Sequence, residues 1–203
     1  MSAEADLGAW HVLRPLLDAG GYLPWNTGAM RPAGLVLVCN DIMYGDRTSV
    51  VECGSGASTV VLARLLRQRG AGTLTAVEHD ERWAARVRDL LDREGLGDLA
   101  TVIHAPLTGE PPWYDEAALE QLPAAIDLLV VDGPPAYEPG DEHRRLPALT
   151  FFEPRLVAGA TVVLDDVDRP GERHVLAAWE KTTAWRFRVE PDTGVAVGVA
   201  PPS

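Results

Sequence analysis

The sequence predicts a doubly wound α/β domain: one seven-stranded sheet, mostly parallel, ending in an antiparallel hairpin and covered by helices on both faces. Short β-branched runs alternate with stretches of helical periodicity, which is the pattern of strands joined by crossover helices. One run, residues 126–132 (IDLLVVD), is apolar almost throughout, as a strand covered on both faces must be. The last two strand-like segments are separated only by Pro191, Asp192, Thr193 and Gly194. Four residues cannot hold a crossover helix, so this pair must run antiparallel.

In chain order, residues 7–17 have helical spacing, residues 20–32 are broken by glycine, proline and aromatic residues, and residues 33–43 are helical again. The first strand, 49–53, contains Val50 and Val51. Gly54 and Gly56 then turn the chain, and Ser58 or Thr59 is placed to cap a helix that carries Val61, Leu62, Leu65 and Leu66 inward. The second strand is 73–78. Asp80 caps the following helix, whose Trp83, Val87, Leu90 and Leu91 share a face and which stops near Gly95. The third strand is 100–104, followed by a loop with Trp113 and Tyr114 and a short helix over 115–122. After the central strand 126–132 comes a Pro/Gly-rich loop, then a helix over 145–157 with Leu149, Phe152 and Leu156 inward. A fifth strand over 160–165, a helix over 172–183 and strands over 185–190 and 194–200 complete the sheet.

A chain of 203 residues is long enough for one such domain and too short for two full ones. Residues 1–45 read as a helical cap segment belonging to the same domain as the ligand-binding part, 46–203. The net charge of −12, with Lys181 as the only lysine, argues against nucleic acid as substrate, because phosphate neutralisation needs a concentrated basic surface. No signal-peptide pattern and no apolar run of membrane-spanning length is present, so a cytoplasmic protein with no membrane partner is expected. Cys39 and Cys53 have neither metal-ligand nor CxxC spacing and read as two reduced, buried residues.

Function is most legible at residues 48–66. A strand ending in an acid runs through a glycine turn straight into a helix, so the helix N–H groups can face an anionic group and Glu52 can accept from a cationic amine. About twenty residues on, Glu78 ends the second strand, where a carboxylate grips ribose hydroxyls. In a doubly wound sheet ligands lie beyond the carboxyl ends of the strands, and Glu52, Glu78, Asp132, Asp165 and Asp166 all fall there. Five carboxylates on one rim require positive charge among them, from a ligand or a divalent ion.

These residues resemble the first two motifs of the class I S-adenosylmethionine (SAM) dependent methyltransferases, which have a Rossmann-like fold. Glu52, Gly54 and Gly56 match acid-x-Gly-x-Gly-x-Gly, with Ser58 in place of the third glycine, and Glu78 matches the second-strand acid. Small residues at that third place occur in the O-methyltransferase-like branch, and the terminal antiparallel pair is the ending the resemblance implies. It further implies that Ser58 holds the methionine carboxylate, that His79 and His104 flank the adenine, and that Gly28, Ser55 and Ala105 complete the cofactor set. Asp132, Asp165 and Asp166 stand where metal-dependent members of the family hold Mg2+; the alternative is that Asp132 orients the methionine amine while the other two cap a turn. The lysine that several members carry after the fourth-strand acid is replaced by Gly133, Pro134 and Pro135. This leaves Asp132, His143 and His174 as candidate acid/base residues. The expected partner is a small-molecule acceptor, and a homodimer is compatible with the sequence. Two other functions remain open on these residues: a nicotinamide-dependent oxidoreductase, and a SAM-binding module without catalysis.

Overall fold

The computed structural model describes residues 3–201. Its main sheet has seven strands in the order β3-β2-β1-β6-β7-β9-β8. The strands are β1 (Ser49–Cys53), β2 (Thr73–Glu78), β3 (Ala100–His104), β6 (Ile126–Val131), β7 (Leu156–Leu164), β8 (Phe187–Val189) and β9 (Ala196–Val199). All pairs are parallel except those made by β9, which runs antiparallel to both β7 and β8. The predicted fold class therefore holds, including the antiparallel ending.

Alternation along the strands divides the core into two layers. Val50, Leu128 and Val130 face one side, with Leu35, Val38, Val61, Leu62 and Leu91. Val51, Leu129 and Val131 face the other, with Leu149, Phe152, Val175 and Trp179. The first layer is covered by α1 (Ala3–Leu17), α2 (Pro32–Tyr44), α3 (Ala57–Arg69) and α4 (Glu81–Arg93); the second by α5 (Pro147–Phe152) and α6 (Pro170–Thr182). Cys39 and Cys53 are both buried and free.

Three elements differ from the sequence reading. The helix expected over 145–157 is only α5, followed by a 3₁₀ turn at Glu153–Arg155, because Pro154 has no N–H to donate and ends the helix. The fifth strand consequently begins at Leu156. The loop after β3 is folded into a small antiparallel ribbon, β4 (Leu107–Thr108) with β5 (Trp113–Tyr114), and the helix expected over 115–122 is a 3₁₀ turn at Ala118–Gln121. The segment read as a cap is divided: α1 and α2 belong to the helical layer of the core, and only the loop between them approaches the ligand end of the sheet. Among the described residues no helix is long and apolar enough to cross a membrane.

Candidate functional site

The strand order reverses between β1 and β6, and a cavity of about 700 Å3 lies beyond their carboxyl ends. This is the crevice where open α/β sheets bind ligands. Its wall is built from the loop at 24–29, the turn Gly54–Ser58, the β2 end from Glu78 to Asp80, and residues following β6 and β7.

The turn is held from below and from the side. Glu52 is 1% exposed, and its Oε2 accepts a 2.6 Å hydrogen bond from the Thr59 hydroxyl, which in turn accepts the Gly56 N–H at 2.9 Å. Desolvation is the main reason the Glu52 carboxyl is pushed up to about 7, against the pull of the Ser58 and Thr59 side chains. Glu78 forms the side support: its Oε2 accepts from the Ser55 N–H at 3.1 Å and the Ser55 hydroxyl at 3.0 Å. Its Oε1 accepts from the Asp80 N–H at 2.9 Å and stands 2.8 Å from His79 Nδ1. Trp83 Nε1 donates to the Ser55 carbonyl at 2.7 Å, closing the frame. Gly54 has φ +95°, and a Cβ there would lie 3.1 Å from the Asp132 carbonyl, so the close approach of β1 to β6 requires glycine.

On the floor, Tyr114 is 1% exposed and its hydroxyl has no hydrogen-bond partner among the described residues. A Cβ on Gly133 would come within 2.6 Å of that oxygen and 2.8 Å of Gly54 N, so the hydroxyl sits at the junction of the β1 and β6 ends. Beyond it Asp132, Asp165 and Asp166 bring carboxylate oxygens within 4.8 Å of one another. Burial, reinforced by their mutual repulsion, raises Asp132 well above the usual carboxylate range, and burial with the Asp166 charge raises Asp165 to about 7. Arg145, 3% exposed, lies among them, 3.1 Å from Asp166 Oδ2 and 3.4 Å from Asp132 Oδ1.

The family described as "Methyltransferase domain" matches residues 51–167, more than half of the chain. The chain belongs to this methyltransferase family. Similar solved structures cover nearly all of it. The SAH-bound methyltransferase PaMTH1 of Podospora anserina superposes with a TM-score of 0.66 at 16% identity, covering 98% of this chain and 88% of that one. Cofactor-bound Rv0187 from MTB gives 0.64 at 20% identity over 97% and 91% of the two chains. An O-methyltransferase from Bacillus cereus in complex with SAH gives 0.61 at 16% identity over 98% and 92%. These likenesses show the fold, that of the class I methyltransferases. A search of curated proteins finds no match.

In this methyltransferase the cavity wall contains Gly28, Gly54, Ser55, Gly56, Ser58, Glu78, His79, Asp132 and Asp166 of the residues expected from sequence. Others are elsewhere. Glu52 lies beneath the turn rather than on the wall, where its Oε2 braces Thr59 and its Oε1 has no hydrogen-bond partner among the described residues. His104 points its Nε2 to the His79 carbonyl at 3.2 Å, and Ala105 is fully buried with its N–H on the Glu78 carbonyl, so neither lines the cavity. His143 and His174 are exposed, pack against each other with centroids 4.4 Å apart and ring planes tilted by 34°, and do not reach the wall. Asp165 is buried behind Asp132 and Asp166. Neither Ser58 nor Thr59 is the N-cap of α3; Gly56 is, and Thr59 acts from the third helical position.

Arg169, Trp83 and Asp80 join the wall without having been read as site residues, and Arg145 joins it as well. Trp83 carried the signal of a core residue on an amphipathic face, and Asp80 is the α4 cap as expected, accepting the Trp83 N–H at 2.7 Å. Arg144 and Arg145 read alike in sequence, as residues that either grip an acidic acceptor or pair with Asp141 and Glu142. Only Arg144 makes that pair, 2.7 Å from Asp141, while Arg145 turns inward.

Proposed function

We propose that this methyltransferase uses SAM to methylate a hydroxyl oxygen of a small molecule. The observation that carries the proposal is a single cavity that joins the braced glycine turn and the start of α3 to Glu78 on one side and to the acids of β6 and β7 on the other. A cavity of this volume is in the range that takes a nucleoside-type ligand with room for an acceptor. The buried Tyr114 hydroxyl fits such a ligand, because an unpaired polar group on a floor costs free energy until something bonds to it.

On this reading Glu78 would hold the cofactor's sugar hydroxyls in exchange for the Ser55 hydroxyl and the His79 ring, while the backbone N–H of Ser55 keeps its bond to the carboxylate. The methionine carboxylate faces Ser58 and the α3 start, where the helix dipole favours an anion. Gly54 and the Tyr114 oxygen, whose lone pairs favour a positive sulfonium, would face the sulfur of a ligand held at these two anchors. Bound SAM supplies an electrophilic methyl group, and the protein aligns the acceptor oxygen behind it. Asp132 is the one of the three expected acid/base residues on the wall, and its carboxylate is the proton acceptor we assign. Hydroxyl specificity is supported by the structural likeness to proteins titled O-methyltransferases.

Calorimetry with S-adenosylhomocysteine and with NADH tests the cofactor. Binding of the first, weakened at least tenfold by Glu78→Ala, with no heat from NADH, is the expected result; the reverse pattern would make the protein an oxidoreductase. Radiolabelled SAM offered with a panel of hydroxylated small molecules then separates an enzyme from a binding module, which would label none of them.

A further inference from the structure

The acidic end of the cavity contains its own cation. Asp132, Asp165 and Asp166 offer oxygen donors of the type that magnesium takes, yet two of these three side chains already face guanidinium groups. Arg145 Nη2 is 3.4 Å from Asp132 Oδ1, Arg145 Nη1 is 3.1 Å from Asp166 Oδ2, and Arg169 pairs with the same Asp166 oxygen. Glu172, 1% exposed, extends the alternation, 2.8 Å from Arg169.

Arg145 cannot swing away to make room. Its Nε donates to the Pro134 carbonyl at 3.2 Å, Nη1 to the Asp165 carbonyl at 3.2 Å and Nη2 to the Asp132 carbonyl at 3.0 Å. The guanidinium therefore spans the ends of β6 and β7, bonded to three carbonyls as well as two carboxylates. An octahedral magnesium ion needs oxygens at about 2.0–2.1 Å on every side. Here it would have to take oxygens from a fixed guanidinium and remain beside that positive charge. The donor set does not fit the ion while Arg145 is in place.

The geometry points to Arg145 as a resident counter-ion that occupies the role of the divalent metal, with Arg169 as its partner at the outer edge. Metal-independence of methyl transfer rests on the function proposed above, whereas exclusion of the ion rests on the guanidinium alone. Alternating charge of this kind also explains why the chain carries a buried arginine four residues after Asp141.

The test uses Mn2+ alone, followed by electron paramagnetic resonance of the free ion, on the full chain without SAM or acceptor. The wild-type protein is expected to bind no Mn2+ at this cluster, so that its titration matches that of Asp165→Asn. Arg145→Met, checked for folding by circular dichroism, is expected to bind one ion per chain, and Asp165→Asn in that background to abolish it. Stoichiometric Mn2+ binding by the wild-type chain that is lost in Asp165→Asn would overturn the proposal. So would a folded Arg145→Met that binds no more ion than the wild type. Should that variant not fold, the wild type against Asp165→Asn decides alone, and because no cofactor is present the outcome is independent of whether the cavity takes SAM.

Discussion

Tyr114 illustrates how much a single buried group can say. Its hydroxyl is shielded from water and has no partner among the described residues, and burial holds the phenol protonated. Such an unpaired group costs about 1–3 kcal/mol. Tyr114→Phe should therefore raise the melting temperature of the ligand-free protein while lowering SAM affinity several-fold, and SAH affinity by less, because only SAM carries the positive sulfonium. Thermal melts and calorimetry with both ligands check this; equal losses for SAM and SAH would place the oxygen away from the sulfur. Its neighbour Gly133 gives a companion expectation. A Cβ there would meet the Tyr114 oxygen at 2.6 Å and the Gly54 backbone at 2.8 Å, and the backbone contact cannot be relieved by a side-chain rotation. Gly133→Ala should cost about 1–3 kcal/mol in denaturant unfolding, the usual range for overpacking, and should displace the glycine turn enough to weaken SAH binding.

At the level of elements, the N-terminal loop that lines the cavity is fixed from behind by Arg64 on α3. This fully buried side chain bonds to Glu94 at 2.5 and 2.8 Å and to the carbonyls of Leu16, Leu17 and Gly21, tying the end of α1 and the following loop to the sheet layer. Removing one member of a buried pair costs about 3–5 kcal/mol. Arg64→Met should lose that order of stability in urea unfolding and also weaken SAH binding, although Arg64 is not on the cavity wall, because the chain leading into residues 24–29 would lose its anchor at Leu16, Leu17 and Gly21. Unchanged affinity in a folded variant would show that this loop contributes nothing to the ligand. Nothing in the sequence singled out Arg64. The strands, by contrast, were legible to the residue for β1, β2 and β3, since parallel strands buried on both faces are bounded abruptly by glycine, aspartate and proline. The glycine turn and Glu78 were legible for the same local reason. What escaped was long-range: that Glu52 braces Thr59 beneath the turn, that His143 and His174 pack against each other outside the cavity, and that Arg145 rather than Arg144 turns into the acid cluster. Each depends on where a loop lands in space, which spacing along the chain does not encode.

For the whole molecule, the acids enclosed at one end of the sheet set the pH dependence of stability. Glu52 and Asp165 are each raised to about 7, Asp132 is raised in the same direction, and burial is the leading cause for all three. A carboxyl whose folded value lies above its unfolded one stabilises the fold fully below the unfolded value and loses that contribution as pH rises through the folded value. Acids of the opposite kind, such as Glu94, which the Arg64 contact holds low, give up their contribution only below the ordinary carboxylate range and do not offset the trend. The ligand-free protein should therefore lose stability as pH rises from about 5 to about 8. Repulsion within a chain of net charge −12 acts in the same sense. For Glu52 alone, a shift from 4.5 to about 7 corresponds to about 3 kcal/mol across that window. Glu52→Gln keeps the acceptor that Thr59 uses and removes the proton, so its unfolding free energy should vary less with pH by that amount, the two proteins converging at the acid end. Urea titrations of both proteins at several pH values measure this directly. Parallel pH profiles for wild type and Glu52→Gln would mean that the buried carboxyl is already ionised in the folded chain and that the turn above it is held by charge.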